Sequence, residues 1–194
     1  MIYTILTRKA FKFIRTLAIL ILAVIILVWM VRTPTTIDMH YVSTLSKKYP
    51  IIFLIRHGER CDRSSNVCLS YPTGITEKGA YKVQEYGNVF NKIFSPYVIY
   101  ATDTVRTIQT AKYFSGGEKL IIPDIYTCSD NATSKLKEYS SKNKVTVIFT
   151  HNHCLSRIAK KMNGWYLKSD YLETLVLHRE NEELILDGIM QHEQ

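Results

Sequence analysis

The chain has 194 residues, a formal net charge of +8 and four cysteines, a length that suits one domain around one core. The charge excludes a nucleic-acid role more than it invites one: Arg8, Lys9, Lys12, Arg15 and Arg32 lie in or beside an apolar N-terminal segment, and the rest of the chain carries 20 basic against 17 acidic side chains, a net of +3. A near-neutral domain has no need of a nucleic-acid partner.

Thr16 to Val31 is free of charge and follows four basic residues. Sixteen helical residues span about 24 Å at ~1.5 Å each, short of a ~30 Å hydrocarbon core but longer than the ~7–15-residue apolar part of a secretory signal. The exit Val31-Arg32-Thr33-Pro34-Thr35 lacks an Ala-x-Ala-like cleavage site. Residues 1–32 are therefore expected to be an uncleaved signal anchor, with Trp29 at the interface and Arg32 reaching outward; a cleaved signal peptide is the alternative. The basic flank stays cytoplasmic, which puts the remainder outside the cytoplasmic membrane. Residues 33–48 read as a linker with a lead-in helix, and 49–194 as the folded domain.

Ile51 to Ile55 is a continuous apolar run, the pattern of a strand covered on both faces of a mainly parallel sheet. Thr76 is placed to cap a helix in which Ala80, Val83, Gly87, Phe90 and Ile93 recur at helical spacing. Tyr97 to Ala101 is a second strand, and Thr102 or Asp103 can cap the helix bearing Val105, Ile108 and Ala111. Leu120–Ile122 and Val145–Thr150 read as strands, Thr133–Ser141 and His153–Met162 as helices, and Leu175–His178 with Glu183–Leu186 as a closing strand pair. Strands alternating with helices predict an α/β fold, a mainly parallel central sheet flanked by helices. The sequon Asn131-Ala132-Thr133 reads as accidental.

Three segments carry the chemistry. Phe53-Leu54-Ile55-Arg56-His57-Gly58-Glu59-Arg60 runs a strand into an Arg-His-Gly turn, and strand ends are where α/β enzymes place their sites. Thr104-Val105-Arg106-Thr107-Ile108-Gln109-Thr110-Ala111 puts Arg106 in the first turn of a helix, where free backbone N–H groups and the helix dipole favour an anion. Val147-Ile148-Phe149-Thr150-His151-Asn152-His153 ends another apolar strand in a histidine. Arginine's planar fork can bind two phosphate oxygens at once and stays charged. His57 is thus the candidate nucleophile, kept neutral by Arg56 and Arg106, with His151 as its partner.

Together these segments resemble the histidine phosphatase (phosphoglycerate mutase-like) superfamily. The loop Cys61-Asp62-Arg63-Ser64-Ser65-Asn66-Val67-Cys68-Leu69, the turn Thr73-Gly74-Ile75-Thr76 and Phe149-Thr150-His151-Asn152-His153-Cys154-Leu155 extend the likeness, over roughly residues 45–190, to the bacterial lipopolysaccharide core heptose(II)-phosphate phosphatases. The resemblance implies a periplasmic phosphomonoesterase acting on a phosphorylated sugar, a core heptose phosphate, through a phosphohistidine at His57. His151 would donate a hydrogen bond to the phosphoryl group in transit, and no cofactor or metal is required. Arg60, Arg63 and Asn152 are expected to contact substrate. The general acid is left open among Glu59, Asp62 and Asp103, because Asn152 stands where one branch of the superfamily has an acid. The alternatives are a phosphosugar mutase and a catalytically silent phosphate-binding envelope module.

In an exported domain four cysteines read as two disulfides with three connectivities. Cys61–Cys68 and Cys128–Cys154 is the favoured pairing, since the first two share one loop. No cysteine has an arginine six positions later, as a cysteine-dependent phosphatase loop requires, and His151-x-His153-Cys154 lacks a second cluster at zinc spacing.

Overall fold

The computed structural model describes residues 2–117 and 119–191, with the side chains of residues 2–10 and 30–32 excepted. It divides into two units, one ending at Thr33 and one beginning at Pro34. The first is a single helix, α1 (Ile2–Arg32). Within it Phe11–Trp29, 19 residues of mean hydropathy 2.6, is long and apolar enough to cross a membrane. Trp29 is exposed; the expected placement of the Arg32 side chain lies outside the described residues.

The second unit begins with α2 (Met39–Lys48) and β1 (Ile51–Arg56), then a 3-10 turn at Cys61–Arg63 and the long helix α3 (Glu77–Phe94). There follow β2 (Val98–Ala101), α4 (Val105–Phe114), β3 (Ile121–Pro123), α5 (Ala132–Lys142), β4 (Val145–Thr150), α6 (Asn152–Asn163), β5 (Thr174–Glu180) and β6 (Glu183–Met190). The six strands form one sheet in the order β3-β2-β4-β1-β5-β6. β3, β2, β4 and β1 are mutually parallel, while β5 runs antiparallel to both β1 and β6.

The unbroken apolar run of β1 has the expected cause. Successive side chains of a strand point to opposite faces, and each face of this sheet has its own helical cover. Ile51, Phe53 and Ile55 pack with Val42 of α2, Val83, Phe90 and Phe94 of α3, and Phe114 of α4. Ile52 and Leu54 pack with Leu136 of α5 and Leu155 and Ile158 of α6. All five β1 residues are fully buried.

Several expectations shift. Residues 34–48 are no free linker: Ile189 N–H donates to Thr35 O at 2.8 Å and Ile37 N–H to Ile189 O at 2.9 Å, and α2 buries Val42 in the core. The exposed edge of β6 needed backbone partners, and this segment supplies them. On α3 the buried position is Phe94, 3 % exposed, and Ile93 at 42 % turns to solvent. The N-cap of α4 is Thr104 rather than Thr102 or Asp103, because Thr102 is still in the sheet ladder, its N–H bonded to Phe149 O at 3.1 Å. Thr76 caps α3 as expected, accepting from Gly79 N–H at 2.9 Å. Both favoured disulfides are present, with Cα–Cα distances of 5.3 Å for Cys61–Cys68 and 4.7 Å for Cys128–Cys154, within the ~4.4–6.8 Å such bridges span.

The α3–α4 contact is closer than a side chain allows. A Cβ at Gly87 would stand 2.0 Å from the carbonyl oxygen of Phe114. Alanine normally improves on glycine inside a helix by about 1 kcal/mol, but here the obstacle is backbone and the two helices must part. Gly87→Ala is expected to cost about 1–3 kcal/mol, a fall in Tm of roughly 2–4 °C per kcal/mol in calorimetry. A raised Tm would contradict this close approach.

Candidate active site

β1 and β4 lie side by side in parallel with Arg56 opposite Thr150, so the residues leaving the two strands, His57 and His151, emerge as neighbours. Their ring centroids are 5.3 Å apart at 67°, and both are buried, at 3 % and 8 % exposure. β2 flanks β4 on its other side and delivers Thr102, whose Oγ1 lies 3.1 Å from His151 Nε2.

The turn after β1 decides the form of the His57 ring. Its Nδ1 is 2.8 Å from the carbonyl oxygen of Gly58. A carbonyl can only accept, so the proton sits on Nδ1 and the lone pair on Nε2. Burial, opposed by the hydrogen bond to Gly58 and reinforced by the repulsion a second protonated ring at His151 would exert and by the charges of Arg106 and Arg56, pushes the His57 pKa down to about 3. Burial and then Arg106 lower His151 to about 4. His57 is therefore a neutral base with a lone pair, the state a nitrogen nucleophile requires.

Two guanidinium groups bound the same space. Arg56 donates Nη1 to Ser169 O and lies 4.3 Å over the ring of Tyr171, which stands 5.9 Å from the His57 ring. Arg106 opens α4, and Thr110 ties that turn to the His57 turn: its Oγ1 accepts from Gly58 N–H at 3.0 Å and donates to Arg106 O at 2.6 Å. Arg56 Nε and Arg106 Nε are buried and have no hydrogen-bond partner; with Thr146 Oγ1 they are the only such side-chain atoms among the described residues. A buried donor left unmatched costs about 1–3 kcal/mol. Two of them beside a neutral histidine pair suit a ligand with several anionic oxygens.

No protein-family model matches the chain. Among solved structures it resembles phosphoglycerate mutase from Bacillus anthracis str. Sterne (TM-score 0.58, 9 % identity, covering 71 % of this chain and 91 % of that one). It also resembles the protein histidine phosphatase SixA complexed with tungstate (TM-score 0.58, 11 % identity, 72 % and 96 %). At such identities the likeness establishes the fold. Among curated proteins the chain is 44 % identical over 155 residues to the lipopolysaccharide core heptose(II)-phosphate phosphatase of Escherichia coli O139:H28 (strain E24377A / ETEC), covering 78 % of each chain. The protein of the same name from Shigella sonnei (strain Ss046) matches equally. The chain belongs to the lipopolysaccharide core heptose(II)-phosphate phosphatase family.

As a member of that family and fold the chain is a phosphatase, and its remaining predicted site residues fall into two groups. Arg60 and Arg63 stand close enough for their charges to add to burial in lowering the basicity of Arg106. Arg60 is also forked onto Asp62, with Nε to Oδ1 at 2.8 Å, and Arg63 is exposed. Asn152 is engaged elsewhere, since its Oδ1 accepts from Ser169 N–H at 2.8 Å and from the Ser169 hydroxyl at 3.0 Å. That contact holds the carbonyl on which Arg56 rests. His153 is exposed on the first turn of α6, its ring parallel to His151 at 5.4 Å.

The acid candidates narrow. Glu59 is drawn up by burial, but hydrogen bonds from Thr76 and Asn66, at 2.5 and 2.9 Å, outweigh that and leave its pKa low. Asp62 is lowered by its bond to Arg60. Both are carboxylates at neutral pH and poor proton donors. Asp103 is exposed on the loop between β2 and α4. Cys128, His153 and Cys154 place their ligand atoms within 4.8 Å of one another, but both sulfurs are consumed by the disulfide. Thr102, Ser169 and Tyr171 escape sequence reasoning. Thr102 could have been found as the residue leaving a strand beside His151, whereas nothing local marks Ser169 or Tyr171.

The lowered histidines have a measurable consequence. With folded values of about 3 and 4 against ~6.5 in an unfolded chain, the unfolded state takes up these protons first as pH falls. The two rings then withdraw stability progressively below about pH 6.5, and the loss is complete only below the folded values. By NMR the imidazole C–H signals of His57 and His151 should not titrate between pH 8 and about pH 5. A midpoint near 6.5 for His57 would contradict its burial.

Proposed function

We propose that this chain removes phosphate from a heptose of the lipopolysaccharide core: as His57 Nε2 bonds to phosphorus the bond from phosphorus to the sugar oxygen breaks, the sugar leaves as an alcohol after taking a proton from solvent water, and a second water then hydrolyses the phosphohistidine to inorganic phosphate and the free imidazole. The observation that carries the mechanism is the His57 ring itself: Nδ1 is committed to Gly58 O, and the lone pair on Nε2 lies beside two arginines whose buried Nε groups lack partners. A phosphate monoester repels an attacking nucleophile, and the guanidinium forks of Arg56 and Arg106 neutralise its oxygens. His151, oriented by Thr102, stabilises the phosphoryl group in transit. Arg60 and Arg63 hold substrate oxygens beyond the transferred group. The arginines supply the charge neutralisation, so turnover is expected to continue in chelator.

The substrate reading rests on the 44 % identity to relatives that carry the heptose(II) name, and it sets the reaction in the cell envelope. On this reading the catalytic domain faces the periplasm and α1 tethers it to the cytoplasmic membrane, close to lipid-linked substrate. The support is the basic flank and the 19-residue apolar span.

The test is purified protein incubated with phosphorylated core oligosaccharide and with small monoesters, followed by acid-free quenching and mass spectrometry. Release of inorganic phosphate with an acid-labile phosphoryl group on His57 is the expected result. Absence of phosphate release from every monoester would leave a silent binding module.

A further inference from the structure

Beside the phosphate site lies a cavity of about 300 Å³ lined by Glu59, Lys78, Lys82, Asp170 and Tyr171, at the lower end of the ~300–1,000 Å³ typical of small-ligand sites. Tyr171 is a wall common to both spaces, since its ring also carries the Arg56 guanidinium and faces His57. Glu59, two residues beyond His57 in the chain, is another wall of the cavity. Lys78 and Lys82 lie one turn apart on α3, hence on one face of that helix; neither is in a contact ion pair among the described residues, although the charge of Lys78 helps to lower the Glu59 carboxyl.

The mixture of groups selects the ligand. A bare anion would be repelled by Glu59 and Asp170, so a simple second phosphate site does not fit. A neutral sugar would use the carboxylates as hydroxyl acceptors and the tyrosine ring as an apolar platform, yet leave both ammonium groups without a direct partner, since Glu59 and Asp170 balance them across the cavity rather than in contact ion pairs. A sugar residue bearing its own anionic group satisfies all five side chains. We infer that this cavity is a second saccharide subsite, holding the glycan residue next to the one that is dephosphorylated, with the anionic group of that residue on Lys78 and Lys82. The inference rests on the reading of the chain as a phosphatase of a core glycan.

The experiment uses the full chain and two probes: lipid-free core oligosaccharide already dephosphorylated at the cleaved heptose but retaining its other anionic groups, and a neutral heptose disaccharide. Calorimetry should show the anionic probe bound more tightly by wild type, and Lys78→Ala/Lys82→Ala should weaken it by about tenfold or more, as expected for lost charge-assisted contacts. Lys78→Glu/Lys82→Glu should weaken it further. Both sites are on the helix surface, and unchanged circular dichroism checks the fold. In turnover, the ratio of kcat/KM for phosphorylated core oligosaccharide to that for a heptose phosphate monosaccharide should fall in parallel. Equal affinity of wild type and the lysine variants for the anionic probe, or no binding by wild type, overturns the subsite even if phosphate is released. Charge-dependent binding without phosphate release from any monoester upholds the subsite and overturns the phosphatase reading alone.

Discussion

His57→Ala is expected to abolish phosphate release, with kcat falling by at least about three orders of magnitude, because on the proposed mechanism loss of the nucleophile removes the step rather than slowing it. The ring is 3 % exposed, so truncation also leaves a cavity; His57→Asn is the better control for packing. Both variants should retain the native near-ultraviolet circular dichroism, since a neutral, singly bonded ring carries little of the core. Neither should form the acid-labile phosphoryl adduct. Wild-type turnover by His57→Asn would remove His57 from the mechanism and turn attention to His151, whose ring lies 5.3 Å from it.

Arg106→Ala is expected to cost about 10²–10³ in kcat/KM, the scale for removing one preorganised donor from a buried anion site. Its Nε is buried without a partner, so in the free protein it bears an unmet desolvation cost that only bound oxygens offset. The loss should appear in both KM and kcat, because on the proposed mechanism the same fork meets the ground-state phosphate and the transition state. Arg106→Lys should recover only part of it, since an ammonium is a point charge and cannot present two parallel donors. Steady-state kinetics on a small monoester measure all three proteins. Substitution of Arg60, already forked onto Asp62, should cost less. An Arg106→Ala enzyme with unchanged KM would place its guanidinium off the phosphate.

What the amino-acid sequence determined by itself was local: where strands end and helices begin. The run Ile51–Ile55 announced a strand covered on both faces, and the residue after it was followed by a histidine. The same logic located His151 after Val145–Thr150, and the helix start located Arg106. The likeness to a phosphatase family followed from these segments, as did the disulfide pairing.

Tertiary structure alone decided how the pieces meet. That His57 and His151 become neighbours depends on β1 pairing with β4 across 94 residues of chain (57 to 151), and hydrophobic periodicity carries no information on which strands pair. The antiparallel insertion of β5 beside β1 brings Ser169 and Tyr171 against Arg56, from a stretch without motif or period. It also fixes Asn152, whose place after the second histidine suggested substrate contact, as the support of that loop through Ser169. Hydrogen-bond donors in loops find their acceptors through space, so their roles are set by which segments the sheet order brings together, after the strands have chosen their partners.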